Sequence, residues 1–180
     1  TSSDSLLIQD FESDNAGNYW ESLQKYNFGE AVLSIEAGKG AEGSKAGKIE
    51  FGKKGSGEPV TRINLSVMDE ADRDWTGSTC FKLYVQNPGT EQINIDLGFD
   101  EWGAGRWITA SGKFCYMCAD GSSSYVKTDF VGNCVPIAGG FNGWIEVPFT
   151  SFSYGSDPSH EMNLAKIGGI YITADSDATE

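Results

Sequence analysis

Long apolar runs are absent from this chain. The longest, such as LLI at residues 6–8, fall far short of the roughly 18 to 20 residues that a membrane-spanning helix needs. Positive charge is scarce as well: 13 Lys and Arg stand against 26 Asp and Glu, a formal net charge of -13, and no basic stripe interrupts the acidic background. Such a surface repels phosphate backbones and anionic lipid headgroups, so neither nucleic acid nor membrane is an expected partner, while neutral ligands and divalent cations suit it. Histidine is limited to His160, in YGSDPSHEMN, with no Ser or Cys pattern from which to build a catalytic triad. It reads as a loop histidine, with a sugar-rim contact as the sharper alternative. No apolar stripe at helical spacing runs beyond about two turns. No signal peptide is visible, and the opening TSSDS reads as the edge of a mature domain whose leader has been removed.

What is present is period-2 alternation punctuated by turns, with 23 glycines among 180 residues. The hydrophobic content of 39% suffices for one core but not for two, so a single domain over 1–180 is expected. Strands are predicted at 6–12, 31–37, 46–52, 60–67, 79–86, 92–99, 106–111, 144–149 and 167–173, which together imply an all-β antiparallel sandwich. The remaining long stretch, about 112–143, is read as a covering or functional loop. It holds Cys115, Cys118 and Cys134, and Cys80 lies outside it. Two disulfides in a secreted domain are the first reading. Zinc on the C-x2-C pair is the second, although the second close pair usual in zinc ribbons is missing, and free thiols are the third.

Strand parity assigns faces. In QINIDLGF, Ile93, Ile95, Leu97 and Phe99 share the core side, leaving Asn94, Asp96, Asp100 and Trp102 on the other. After the Gly-Ala-Gly turn of FDEWGAGRW, Ile108 and Ala110 have core character, which turns Trp107 and Thr109 outward. By the same rule Arg62 and Asn64 face out from VTRINLSV, and Tyr171 and Thr173 from IGGIYIT. Flat aromatic rings meet the C–H face of a pyranose, while Asp, Asn and Arg exchange hydrogen bonds with its hydroxyls. Trp102, Trp107, Tyr171, Asp96, Asp100, Arg62 and Asn64 are therefore the candidate carbohydrate-binding residues. The bland alternative is that the 112–143 loop packs over both tryptophans as a second small core. A jelly-roll glycosidase would need paired carboxylates, for which Asp96, Asp100, Glu101 and Glu146 are available, but no pair carries a local signature. Acidic LIQDFES and ADSDATE, with the Gly-rich GKGAEGSKAG turn, suggest structural calcium through Asp10 and Glu12, with Asp175 and Asp177 near the C-terminal end.

The order of motifs LLIQDFES, NYW, GSKAGKIEF, RDWTGSTCFKLYVQN, GWIEVPFTSF and NLAKIGGIYIT resembles the β-jelly-roll carbohydrate-binding modules of plant-cell-wall-degrading enzymes, closest to the family 11 type. That resemblance implies a galactose-binding-like jelly roll and a groove for β-1,4 and mixed-linkage β-1,3-1,4 glucans. It also implies groove positions at Tyr171, Arg62 and Asn64, and calcium near Asp10 and Glu12. The hairpin tryptophans and the cysteine-bearing insertion have no counterpart in the family, and Gly168 and Gly169 stand where relatives place polar contacts. The expectation is a secreted, monomeric, non-catalytic module that holds a covalently linked catalytic domain on polysaccharide. A jelly-roll glycoside hydrolase and a protein-interaction sandwich are the alternatives.

Overall fold

In a computed structural model, the structure describes residues 6–13, 20–22, 31–51, 61–67, 69–102, 105–109, 113–119, 124–153 and 162–174. Within these ranges, the side chains of residues 22, 51 and 105–109 lie outside the description. His160, Asp175 and Asp177 lie outside the described residues, as do Gly103 and Ala104 of the hairpin turn.

The expected all-β antiparallel sandwich forms. One layer is a seven-stranded sheet in the order β1 (Trp20–Ser22), β4 (Thr61–Ser66), β13 (Ile167–Ala174), β6 (Ile93–Glu101), β7 (Gly105–Thr109) and β12 (Phe152–Ser153), with β10 (Val135–Ile137) pairing the start of β6. The other layer holds the hairpin β2 (Ala31–Glu36)/β3 (Ala46–Phe51). Beside it lies a four-stranded sheet of β5 (Cys80–Gln86), β11 (Asn142–Pro148), β8 (Phe114–Ala119) and β9 (Val126–Asp129).

Alternation in β6 and β13 puts Leu97, Phe99, Ile170 and Ile172 on the inner side, where they meet Ile145, Val147 and Phe81 of the second sheet. Phe99 has no exposed surface and touches the rings of Trp75, Phe81, Phe149 and Phe152. Full burial of a ring of this kind contributes about 1.5–3 kcal/mol. A second cluster around Trp20, Ala31 and Ile63 seats the β2/β3 hairpin, and Leu65 and Ile172 belong to both clusters. The two cores are thus one continuous layer covering the inner face of the seven-stranded sheet.

Three expectations are corrected here. The segment 6–12 forms no strand. Phe11 turns at φ 60, and its ring packs on Trp20 at 5.0 Å, so this segment staples the hairpin without pairing. The stretch 112–143 is not a loop: it supplies β8 and β9, which extend the second sheet, and β10, which pairs β6 where β7 leaves off. None of the four cysteines is in a disulfide. Because Cys115 and Cys118 are three residues apart on a strand, they face opposite sides of the sheet, and C-x2-C there makes neither a bridge nor a zinc chelate.

Candidate functional site

Among the described residues, the second layer packs on the inner face of the seven-stranded sheet, and the outer face is the candidate site. Register assembles it in rows. Thr173 stands between Arg62 and Asp96, Tyr171 between Asn64 and Gly98, and Gly169 between Ser66 and Asp100. Arg62, Asn64, Asp96, Asp100 and Tyr171 thus share one surface, as the alternation implied. Arg62 Nε donates to Thr173 Oγ1 at 2.7 Å, which fixes the guanidinium along its row. Asn64 Nδ2 donates to Ser66 Oγ at 3.1 Å, while its Oδ1 is shielded from solvent and, among the described residues, accepts no hydrogen bond. That amide lies against Gly169, where an added Cβ would come within 2.9 Å of Oδ1. Burial, and then the neighbouring Glu101 charge, raise the Asp100 carboxyl above its ordinary range.

Trp102 closes the surface at the end of β6. Its backbone N–H donates to Lys166 O at 2.8 Å, and 56% of the residue is exposed, so no segment buries it. The Arg73 guanidinium lies 4.0 Å from the ring centroid, a cation–π contact that spacing along the sequence gave no means of finding.

Trp107 is the exception. The β6/β7 register sets it across from Phe99 and sets Arg106 across from Asp100, so position 106, not 107, is in phase with the candidate surface. The side chain of Trp107, read as outward from the core character of Ile108, lies outside the described residues, and the backbone register of its strand alone is described. Ile108 pairs with Gly98.

The carboxylates considered for catalysis are dispersed. Asp96 and Asp100 share a face of β6 but lie four residues apart, about 13 Å at the usual strand rise, beyond the separations that glycosidase pairs use. Glu101 is 3% exposed and in phase with the core, and Glu146 lies on the other sheet, 3.8 Å from Lys82. The outer face of that second sheet is also aromatic, with Tyr116 exposed on it and cations lying over two of its rings. Lys82 sits 4.7 Å over Trp144 and Lys127 4.2 Å over Phe114, and Cys118 is only 1% exposed.

The metal candidates lie elsewhere. Glu12 Oε1 accepts from Lys45 N at 2.6 Å, tying the N-terminal segment to the GKGAEGSKAG turn. Asp10 Oδ1 accepts from Glu12 N at 3.0 Å and lines a recess shared with Ser66, Asp69 and Asp72. Among the described residues, no group of three or more His, Cys, Asp or Glu side chains is placed to hold an ion.

No protein-family model matches the sequence, and no curated protein matches it. The fold is similar to that of a solved family 11 carbohydrate-binding module from Clostridium thermocellum in complex with a β-1,3-1,4-mixed-linked tetrasaccharide. The TM-score is 0.53 at 16% identity, covering 96% of this chain and 86% of that one. At that identity the likeness is one of fold.

Proposed function

We propose that this chain is a non-catalytic carbohydrate-binding module that takes a β-glucan chain, β-1,4 or mixed-linkage β-1,3-1,4, on the outer face of its seven-stranded sheet. One observation carries the reading: among the described residues, the face turned away from the second layer brings Tyr171 into register with Arg62, Asn64, Asp96 and Asp100, and Trp102 at the end of β6 is 56% exposed. The fold it shares with a module solved with a mixed-linked tetrasaccharide supports it. Rings supply stacking surface, and charged or amide groups beside them supply directional bonds to hydroxyls. The unmatched Asn64 carbonyl would gain a donor by turning toward a sugar hydroxyl.

In this reading the module is a secreted monomer linked to a catalytic domain, and tethering raises that domain's effective concentration on polysaccharide. Affinity electrophoresis on mixed-linkage β-glucan tests it. Wild type is retarded, and Trp102→Ala loses about 2 kcal/mol of binding, roughly thirtyfold, while its melting temperature stays within a few degrees. Reducing-sugar release by the isolated chain would instead support the glycoside hydrolase alternative, and capture of a protein with no glycan bound would support the interaction domain.

Calcium belongs to the same proposal. Glu12 and the carbonyls of the turn it reaches have the hard-oxygen chemistry that this ion prefers, and Asp10 shapes the Asx-type turn that presents Glu12. A bound ion would hold the N-terminal segment to the hairpin through RT ln(1 + [L]/Kd). Chelation and Glu12→Gln are each expected to lower the melting temperature without changing the β-glucan affinity. A melting temperature unmoved by both removes calcium from the picture.

A further inference from the structure

We infer that Arg73 and Gly168 are positioning residues for Trp102, presenting one face of its indole to ligand; this rests on the glycan-binding reading above. The contacts form a closed circuit. Val67 N donates to Gly168 O at 3.1 Å, and Arg73 Nε donates to Val67 O at 2.9 Å. The same guanidinium then covers Trp102 at 4.0 Å, and the indole returns to Gly168. Arg73 is itself located from both sides. Asp69 caps its 3-10 turn by accepting from Ala71 N at 3.0 Å, and Trp75, 4% exposed, anchors the turn's exit through Leu164 O and Asp72 O.

The geometry at Gly168 says which part of the ring it meets. A Cβ built there lies 2.7 Å from Cε3 and 3.6 Å from each of its ring neighbours, Cδ2 and Cζ3. Equal distances so much longer than the first belong to an approach in the ring plane, since an approach over the face would leave all three similar. Gly168 therefore abuts the indole edge, and Arg73 takes one face. With 56% of Trp102 exposed, the face away from Arg73 is the one a ligand reaches. Gly168 also has an ordinary φ, so the backbone accepts alanine and the obstacle is the ring alone. A ring held in this way loses little freedom when a sugar stacks on it, which is how a residue out of ligand contact strengthens binding.

The test uses the full chain with Arg73→Gln, Arg73→Lys and Gly168→Ala, each with and without Trp102→Phe, so that subtraction isolates the Trp102 fluorescence. Acrylamide quenching reads the ring without any ligand, and affinity electrophoresis on mixed-linkage β-glucan reads binding. Arg73→Gln is expected to raise quenching of Trp102 and to weaken binding about threefold to tenfold with an unchanged melting temperature. Arg73→Lys, which keeps a cation over the ring, recovers most of that loss, and Gly168→Ala weakens binding at least as much as Arg73→Gln. Unchanged quenching in both Arg73→Gln and Gly168→Ala overturns the inference whatever the glycan result. Altered quenching with undiminished affinity overturns it too, and leaves the glycan reading standing. If wild type itself is not retarded, the glycan reading fails and the ligand-presenting role falls with it.

Discussion

Asp100 faces two opposed demands. It borders the candidate surface as an acceptor for hydroxyls, yet burial and the Glu101 charge raise its pKa. A carboxyl whose folded pKa lies above its unfolded value contributes stability below the unfolded pKa, near 3.9, and loses that contribution as pH rises through the folded value. Near neutral pH the ionised form is therefore a cost to the fold. Asp100→Asn is expected to raise the melting temperature at pH 7 and to leave it unchanged below about pH 3. The same substitution weakens β-glucan retardation, because a neutral amide is a poorer partner for hydroxyls than a carboxylate. Melts at the two pH values beside one affinity gel check this, and a melting temperature lowered at pH 7 contradicts it. The face of Asp100 was legible from alternation alone. Its titration was not, because the leading cause is burial of the carboxyl by neighbouring strands that only the folded register brings beside it.

At the scale of elements, the strands with clean alternation were legible: β4, β6 and β13 form within or across VTRINLSV, QINIDLGF and IGGIYIT, with β6 running on to Glu101 and β13 to Ala174. β8 was missed for a physical reason. In FCYMCA both faces carry large side chains, with Cys115 and Met117 inward and Phe114 and Tyr116 outward, so no contrast marks the period. β10 is three residues long and contains Pro136, and it exists only because β6 outruns β7. LLIQDFE misled in the other direction, its apolar spacing serving ring contacts of Phe11 in place of a ladder. The thiols follow from these elements. Cys115 is fully buried, and burial pushes its pKa up to about 11, whereas Cys80 on the edge strand β5 is half-buried, raised first by burial and then by Glu146. Native alkylation at pH 8 is expected to label Cys80 well ahead of Cys115, Cys118 and Cys134. All four react in denaturant, and reductant leaves the intact mass unchanged. A mass gain of two or four hydrogens on reduction would establish bridges.

For the whole molecule, charge separates the two non-catalytic readings. A net charge of -13 on 180 residues sets a negative field that steers any cationic partner, and salt screens that field, the Debye length falling from about 10 Å at 0.1 M to about 3 Å at 1 M. A β-glucan chain carries no charge, so in the proposed reading its contacts with Trp102, Tyr171, Asp96 and Asp100 would owe nothing to that long-range field. Calorimetric titration with a mixed-linkage oligosaccharide should therefore give a Kd that moves by less than about twofold between 0.1 and 1 M sodium chloride. A protein partner drawn by the acidic surface would lose tenfold or more over the same range, chiefly through a slower association rate. Arg62 sharpens the comparison. It is the described cation within the rows of the candidate surface and is held by Thr173, so Arg62→Gln replaces a charged, forked donor with a shorter neutral amide while making the molecule more negative by one charge. Loss of glucan affinity on Arg62→Gln, undiminished at high salt, is the signature of a directional bond. A loss that disappears as salt rises would show instead that Arg62 acts only through the field, and would shift the weight of recognition to the aromatic pair.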